Sequence, residues 1–235
     1  MLLAVDTSTD QMGIALCDGD QVVAESIWRS QQYHTVELAP AVAELLRHAG
    51  ISMDAIEAVT VAIGPGSYTA LRVGLALAKG MALARNLPLV GIPTLDVLAA
   101  GQPASELPLG AVIRAGRGRI ALGWYKNSST PSRNRMHGEH TQGDWQAQGP
   151  AEVTTVDALA KSIEQPTLIA GELTPEERQR LARKKKNVAL APPHLCLRRP
   201  SLLAEIGWER YQKGQVDDSA ALAPIYLHHA EPAGE

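Results

Sequence analysis

Apolar and polar residues alternate over the first 30 residues in the way that β-strands require. Residues 2–5 are apolar, and residues 12–17 alternate larger with smaller side chains, which is the pattern of a half-buried strand. The pair Asp18 and Gly19 is a hairpin-turn sequence, and residues 21–28 return as a third strand. The chain is therefore predicted to open with three antiparallel strands.

Helical spacing of apolar residues follows over residues 35–48, where Leu38, Val42 and Leu45 lie on one predicted face. Pro40 interrupts this pattern. Because proline lacks the backbone N–H and clashes with the preceding turn, it is predicted either to kink the helix or to mark its true start.

A second helix is predicted over residues 70–84, after the turn Gly64-Pro65-Gly66-Ser67. It is apolar almost all round, with Arg72 and Lys79 as its charged residues. A helix with so little polar surface must be covered by its own protein or by a partner. Every fourth residue is small, which predicts a ridge that a second helix could approach closely: Ala70, Gly74, Ala78 and Ala82.

The order of predicted elements is β-β-β-α-β-α-β-α, which is the content of one half of an actin-like or sugar-kinase-like (ASKHA) fold. A doubly wound dinucleotide-binding fold would begin strand-helix-strand instead. We therefore predict a two-lobed α/β protein. Its parts are an actin-like lobe over residues 1–101 completed by a helix near 201–213, a smaller, divergent lobe over 102–200, and a tail over 214–235.

Composition narrows the class of protein. The chain has 235 residues, 45% of them hydrophobic, and a net charge of −3, so no global attraction to nucleic acid or membrane is expected. Cys17 and Cys196 match no metal-ligand spacing and fit a reducing compartment. The N-terminus lacks the basic and long apolar regions of a signal peptide, and no run of about 20 apolar residues is present. We expect a cytoplasmic protein with no membrane span.

Two turns are candidates for binding an anion or a nucleotide. Backbone amides before a helix favour negative charge, although no Gly-Lys-Ser/Thr completes a P-loop here. An acid at the end of the first strand of an actin-like half can orient a metal or water. The candidate residues are Asp6, Thr7, Ser8, Gly64, Gly66 and Ser67. The alternative is that both are structural turns whose side chains cap their own backbone, Ser67 or Thr69 serving as the helix N-cap.

Other polar clusters predict surface roles. The pairs His137/His140 and His228/His229 lack the spacing of a metal site, so no metal site is predicted. The basic run 178–186 could contact RNA phosphates or simply form a solvated face. The same two interpretations apply to the arginine cluster at Arg114, Arg117 and Arg119. Residues 127–149 are predicted to form a polar surface excursion. No nucleophile and base are paired in a recognisable motif.

Several segments together resemble the TsaB (YeaZ) family. They are Leu3-Ala-Val-Asp-Thr-Ser8, His34-Thr35, Gly64-Pro-Gly-Ser-Tyr-Thr-Ala-Leu-Arg-Val-Gly74, Gly80-Met-Ala-Leu83 and Pro224-Ile-Tyr-Leu227. The resemblance implies an actin-like, non-catalytic subunit for threonylcarbamoyladenosine (t6A) formation at position 37 of tRNAs that read ANN codons. It implies a TsaD-like catalytic partner, a TsaE-like ATPase, contact with tRNA through the complex, and a homodimer when the chain is alone. ATP or ADP and a metal would belong to the partner complex, with no cofactor of this chain's own.

One absence indicates which subunit this is. The catalytic relative carries a His-x-x-x-His metal pair after the strand that follows the central helix, whereas residues 91–98 here contain no histidine. Ala70 replaces the usual glycine of the block, and Arg114 stands where many relatives have aspartate. Both departures weaken any inference of a nucleotide role.

The resemblance and the uncharged helix together give an interface hypothesis, in which the two predicted helices pair with a TsaD-like subunit or a second copy. The predicted interface residues are Leu38, Val42, Leu45, Ala70, Val73, Gly74, Leu77, Ala78 and Met81. A bulky residue at Gly74 or Ala78 is expected to split the complex and leave each subunit folded. The alternative is a stand-alone actin-like ATPase or small-molecule kinase that uses Asp6, Thr7 and the 64–67 turn on ATP and Mg²⁺.

Overall fold

The computed structural model describes residues 1–31, 33–128, 143–184 and 186–227. The chain divides into two compact units. Unit 1 comprises Met1–Val97 and Arg198–Ile225, and unit 2 comprises Leu98–Leu197 and Tyr226–Glu235. Residues 214–225, predicted as part of a tail, therefore belong to unit 1.

Unit 1 is built on a mixed sheet with the strand order β3-β2-β1-β4-β5. The three opening strands are antiparallel, as predicted, whereas β4 and β5 run parallel to β1. The strands are β1 (Leu2–Asp6), β2 (Gln11–Cys17), β3 (Val22–Arg29), β4 (Ala58–Ala62) and β5 (Leu89–Ile92).

Helices cover both faces of this sheet. They are α1 (His34–Ala49), α2 (Tyr68–Arg85), α3 (Thr94–Ala100), which begins in unit 1, and α6 (Pro200–Gln212). Leu3 and Val5 of β1 share a core with α1 and α2. The alternate residues Leu2 and Ala4 share a core with α6. Successive side chains of a strand point to opposite faces, so β1 is buried on both sides and lies at the centre of unit 1.

Pro40 does not mark the start of α1, because the helix runs from His34 through Pro40 to Ala49. Pro40 is exposed, and Val36, whose carbonyl would otherwise accept a bond from residue 40, is 65% exposed. Water can satisfy that carbonyl, so the lost bond is tolerated. Gly50 ends the helix in the left-handed conformation, with φ 66°.

The C-terminal segment, residues 217–225, protects the edge of the sheet at β5. Asp217 forms an antiparallel bridge with Leu89, and the Asp217 carboxylate accepts a hydrogen bond from the Gly91 N–H at 2.7 Å. The Ile225 N–H donates to the Ile63 carbonyl at 2.7 Å. An uncovered strand edge would offer unpaired backbone groups to another chain, so this segment closes the sheet.

Unit 2 repeats the topology of unit 1 with a different sequence. Its strands are β6 (Leu109–Arg114), β7 (Ile120–Asn127), β8 (Trp145–Ala147), β9 (Glu152–Thr154), β10 (Thr167–Gly171) and β11 (Val188–Leu190), with helices α4 (Val156–Ser162) and α5 (Pro175–Ala182). The order is β11-β10-β6-β7-β8, with β9 also paired to β7. On one side of β6, β10 and β11 pair in parallel. On the other side, β7 pairs antiparallel with β6 and in turn antiparallel with β8 and β9, as β2 does with β1 and β3.

Unit 2 also accounts for most of the elements that the sequence did not predict. The short strands β8, β9 and β11 have three residues each, too few to show a periodic pattern. The predicted polar excursion at 127–149 falls largely on residues 129–142, outside the described residues. Across the described part of the chain, no helix is both long enough and apolar enough to cross a membrane.

Candidate functional site

Asp6, at the end of β1, is bound to an arginine almost 200 residues away in sequence. One Asp6 carboxylate oxygen accepts the Ser8 N–H at 2.8 Å, and the other accepts the Arg198 Nε–H at 2.8 Å. Arg198 Nη2 donates to the Thr9 hydroxyl and to the Gln11 carbonyl, each at 2.9 Å. The Asp6 and Arg198 side chains are 2% and 1% exposed. A cation of the chain itself therefore neutralises the buried acid.

The turn after β1 binds directly to the glycine-rich turn before α2. The Ser67 N–H donates to the Ser8 carbonyl at 2.7 Å, and a Cβ at Gly66 would lie 2.2 Å from that same oxygen. The Thr94 hydroxyl lies 2.7 Å from the Ser8 hydroxyl and accepts the Gly64 N–H at 3.0 Å. Only glycine allows so close an approach at position 66, and the polar groups of the two turns largely satisfy each other.

This arrangement does not fit a divalent cation at Asp6, because both carboxylate oxygens already accept hydrogen bonds and one is paired with a guanidinium. Thr7 is also engaged, since its hydroxyl donates to the Ala70 carbonyl at 2.7 Å. Binding of an anion or nucleotide by Asp6, Thr7, Ser8, Gly64, Gly66 and Ser67 stays a prediction. Ser67 is the N-cap residue of α2, but its side chain makes no capping hydrogen bond.

The small-residue ridge of α2 faces the chain's own sheet, so the prediction that it faces a partner helix is wrong. A Cβ at Gly74 would lie 2.3 Å from the Thr7 hydroxyl, and Ala78 and Ala82 are in the same core cluster as Leu3 and the other residues of that sheet face. The small side chains let α2 lie close to β1 and β4. Six of the predicted interface residues are buried here: Leu38, Val42, Leu45, Ala70, Gly74 and Ala78.

The outer side of α2 carries the remaining predicted interface residues and further apolar ones. Val73, Leu77 and Met81 are half-buried. Tyr68 is 55% exposed and Leu83 is 81% exposed. A groove of about 480 Å³ runs between α1 and α2. It is lined by Thr35, Leu38, Ala39, Tyr68, Thr69, Arg72, Val73, Ala76 and Leu77. We call this groove and the outer side of α2 the helix face.

Arg72 and Tyr68 contact each other on the helix face. The guanidinium carbon of Arg72 lies 3.8 Å from the centre of the Tyr68 ring, which is within the range of a cation–π interaction. Tyrosine and arginine are enriched among the residues that dominate binding energy at protein interfaces. The pair therefore gives the groove an aromatic and positively charged wall.

The described histidines and acids form no metal site. Among the residues that the structure describes, no group of three or more His, Cys, Asp or Glu side chains could hold a metal ion. His137, His140, His228 and His229 lie outside them. His34 Nε2 lies 2.9 Å from the Thr9 carbonyl, which ties the start of α1 to the turn after β1.

Comparison with known proteins identifies the family. Over 239 aligned residues, covering 98% of this chain and 95% of the relative, the chain is 30% identical to the tRNA threonylcarbamoyladenosine biosynthesis protein TsaB of Bacillus subtilis (strain 168). The chain belongs to the TsaB family. A family model described as TsaD, tRNA N6-adenosine threonylcarbamoyltransferase, matches residues 21–140, so this member of the TsaB family also shares sequence with the transferases.

Solved structures confirm the actin-like, two-lobed α/β fold. YeaZ from Pseudomonas aeruginosa is similar with a TM-score of 0.73 and 23% identity, over 96% of this chain and 99% of that one. The activator of the 2-hydroxyisocaproyl-CoA dehydratase from Clostridium difficile, solved with bound ADPNP, is similar with a TM-score of 0.51 and 11% identity, over 91% of this chain and 96% of that one. At these identities the likeness shows the fold alone.

Sequence reasoning missed Arg198, the residue that engages Asp6. The sequence shows Arg198 only as the first of two arginines before the proline that starts α6. Arginine is rarely fully buried unless it is paired, and its partner is 192 residues away in the sequence. No local pattern could have signalled this pairing.

Proposed function

We propose that this chain is a non-catalytic subunit that binds and activates a TsaD-like catalytic subunit through the helix face, for t6A formation at position 37 of tRNAs that read ANN codons. The observation that carries the proposal is the exposed apolar surface of α2 and the groove beside it, on a chain of the TsaB family. Apolar surface that is contiguous and bordered by polar residues is typical of a protein interface.

The kind of partner follows from shared sequence. Residues 21–140, which match the TsaD model, include all of α1 and α2. Two chains that carry the same helix pair can associate about a two-fold or pseudo-two-fold axis, each presenting the same surface. This accounts for a TsaD-like partner in the complex and for a homodimer when the chain is alone.

Other components would be supplied by the complex. ATP or ADP and a metal would belong to the TsaD-like subunit and to a TsaE-like ATPase that joins it, and all would act in the cytoplasm. The pairing of Asp6 with Arg198 supports this division, because the acid that an actin-like ATPase would offer to a metal is already neutralised. The same pairing argues against the alternative of a stand-alone ATPase or small-molecule kinase.

The interface is tested with Ala76→Arg and Leu83→Arg, two exposed positions of the helix face. Arginine is a good helix former, and exposed substitutions usually change stability by less than about 0.5 kcal/mol. Val22→Arg is the matched control, because Val22 is 51% exposed on β3, at the edge of the sheet opposite β5. Thermal melting of each variant checks its fold.

We expect both α2 variants to weaken co-elution with the TsaD-like subunit and to lower t6A formation by the reconstituted system, while Val22→Arg behaves as wild type. Equal co-elution of all variants would refute the interface. Magnesium-dependent stabilisation of the isolated chain by ATP would instead favour the stand-alone ATPase.

A further inference from the structure

Positive charge is concentrated in one part of this acidic chain. Residues 98–197, the main segment of unit 2, contain 13 Arg and Lys against 9 Asp and Glu, a net charge of +4. The other residues contain 9 Arg and Lys against 16 Asp and Glu, a net charge of −7, so the whole chain has a net charge of −3. Four consecutive basic residues, at positions 183–186, follow the end of α5.

Two contacts fix how α4 and α5 lie beside each other. Arg180 Nη1 donates to both carboxylate oxygens of Asp157, at 2.9 and 2.8 Å. Asn187 Nδ2 donates to the Glu164 carbonyl at 2.9 Å. These contacts join α4 to α5 and the turn after α4 to the turn after α5. Lys161 lies in the last turn of α4, three residues before Glu164.

Most arginines around this surface already have partners. Arg178 donates to the Ala191 carbonyl at 2.8 Å, Arg114 is 3.0 Å from Glu177, and Arg180 is paired with Asp157. In contrast, four exposed cations have no ion pair within the described residues. They are Lys161, Arg183, Lys184 and Lys186, which we call the basic strip.

The helix dipole does not account for the basic strip. A cation in the last turn of a helix is favourable, but α5 ends at Ala182 and already has Arg180 in its last turn. Lys186 lies beyond the reach of the last turn, since the dipole effect falls off within it. Of the acids in α4, α5 and the turns after them, Asp157 is paired with Arg180 and Glu177 with Arg114. Glu164 and Glu176 remain against the four cations, so the strip keeps a net positive charge.

We infer that the basic strip contacts the phosphate backbone of the tRNA substrate directly. The inference rests on the proposed function, because membership of the TsaB family is what favours tRNA over an acidic protein or an anionic membrane. Unpaired, exposed lysines and arginines bind phosphates and release condensed counterions, which gives affinity without sequence preference. Unit 2 then serves to hold tRNA while the helix face of unit 1 holds the catalytic subunit.

The test compares Lys184→Gln/Lys186→Gln with a control that removes two exposed charges from unit 1, Arg29→Gln/Lys213→Gln. Each is assembled with the TsaD-like subunit. Binding of labelled tRNA is measured by fluorescence anisotropy over a series of salt concentrations. Affinity falls as salt rises, and loss of two phosphate contacts should make the plot of log affinity against log salt less steep by about 1.5. Binding at physiological salt should weaken about tenfold. Co-elution with the TsaD-like subunit should not change.

Equal tRNA affinity for the strip variant and wild type, or equal losses in the strip and control variants, would overturn the inference. The strip variant could instead keep the salt slope of wild type for tRNA and lose binding to a TsaE-like subunit or to anionic vesicles. That result would assign the strip to that partner and would also overturn the inference. If wild type itself failed to co-elute with the TsaD-like subunit, the proposed function would fail. The salt series on the isolated chain would then still decide whether the strip binds RNA.

Discussion

Replacing Arg198 with leucine should destabilise unit 1 severely. The substitution leaves the Asp6 carboxylate buried without its cation, and it removes the donor to Thr9 and Gln11. Removing one partner of a buried ion pair costs about 3–5 kcal/mol. Because a typical domain has about 5–15 kcal/mol of stability in total, this loss would consume a large fraction of it.

The free energy of unfolding is measured by urea denaturation, followed by far-ultraviolet circular dichroism. Arg198→Lys is the informative companion variant. It keeps the charge, but a single ammonium group cannot reproduce the planar guanidinium that reaches Asp6, Thr9 and Gln11. We expect its stability to lie between wild type and Arg198→Leu. If Arg198→Leu lowered the free energy of unfolding by less than about 1 kcal/mol, the buried ion pair would not have the stabilising role proposed for it, because solvent-exposed ion pairs contribute that little.

A double variant separates the ion pair from general packing. Replacing a buried pair with apolar residues of similar volume is often neutral or stabilising, so Asp6→Leu/Arg198→Leu should recover most of the stability that Arg198→Leu loses. A residual loss of about 1–3 kcal/mol is expected because the Ser8 N–H loses its acceptor. If the two single losses simply added, the side chains would not be coupled.

Two further predictions concern unit 1. Gly74→Ala should lower the free energy of unfolding by about 1–3 kcal/mol, because its Cβ would crowd the Thr7 hydroxyl. Gly80→Ala has open space around it and should stabilise α2 by about 0.5–1 kcal/mol. Thermal melts of both variants check this, and equal effects would contradict it. Burial by itself raises the pKa of the Glu25 carboxyl, but hydrogen bonds from Arg199 and a neighbouring serine outweigh it and hold that pKa below its ordinary value of 4.5. The folded pKa is thus depressed, so Glu25 stabilises the protein above that ordinary value and loses this contribution as pH falls through the folded pKa. Unfolding midpoints between pH 3 and 7 should show Glu25→Gln less stable than wild type at pH 7, with a gap that closes in acid; a gap independent of pH would contradict the pairing.

The sequence by itself determined the local elements and the family. Period-two alternation located the three opening strands, and the pair Asp18-Gly19 located the turn between the second and the third, which the structure shows as antiparallel neighbours. The block from Gly64 to Gly74 indicated the family by itself. These features depend on neighbours within a few residues, so local physics sufficed to predict them.

Tertiary structure alone decided what those elements face. Helical periodicity showed that Ala70, Gly74 and Ala78 share one side of α2, but periodicity cannot tell whether that side meets the chain's own sheet or a partner. The structure assigns it to the sheet, where Thr7 lies too close to allow a Cβ at Gly74. The structure also brings Arg198 to Asp6, 192 residues apart in the sequence. A local sequence pattern cannot predict such a pair, because its burial and ion pairing depend on how distant parts of the chain fold together.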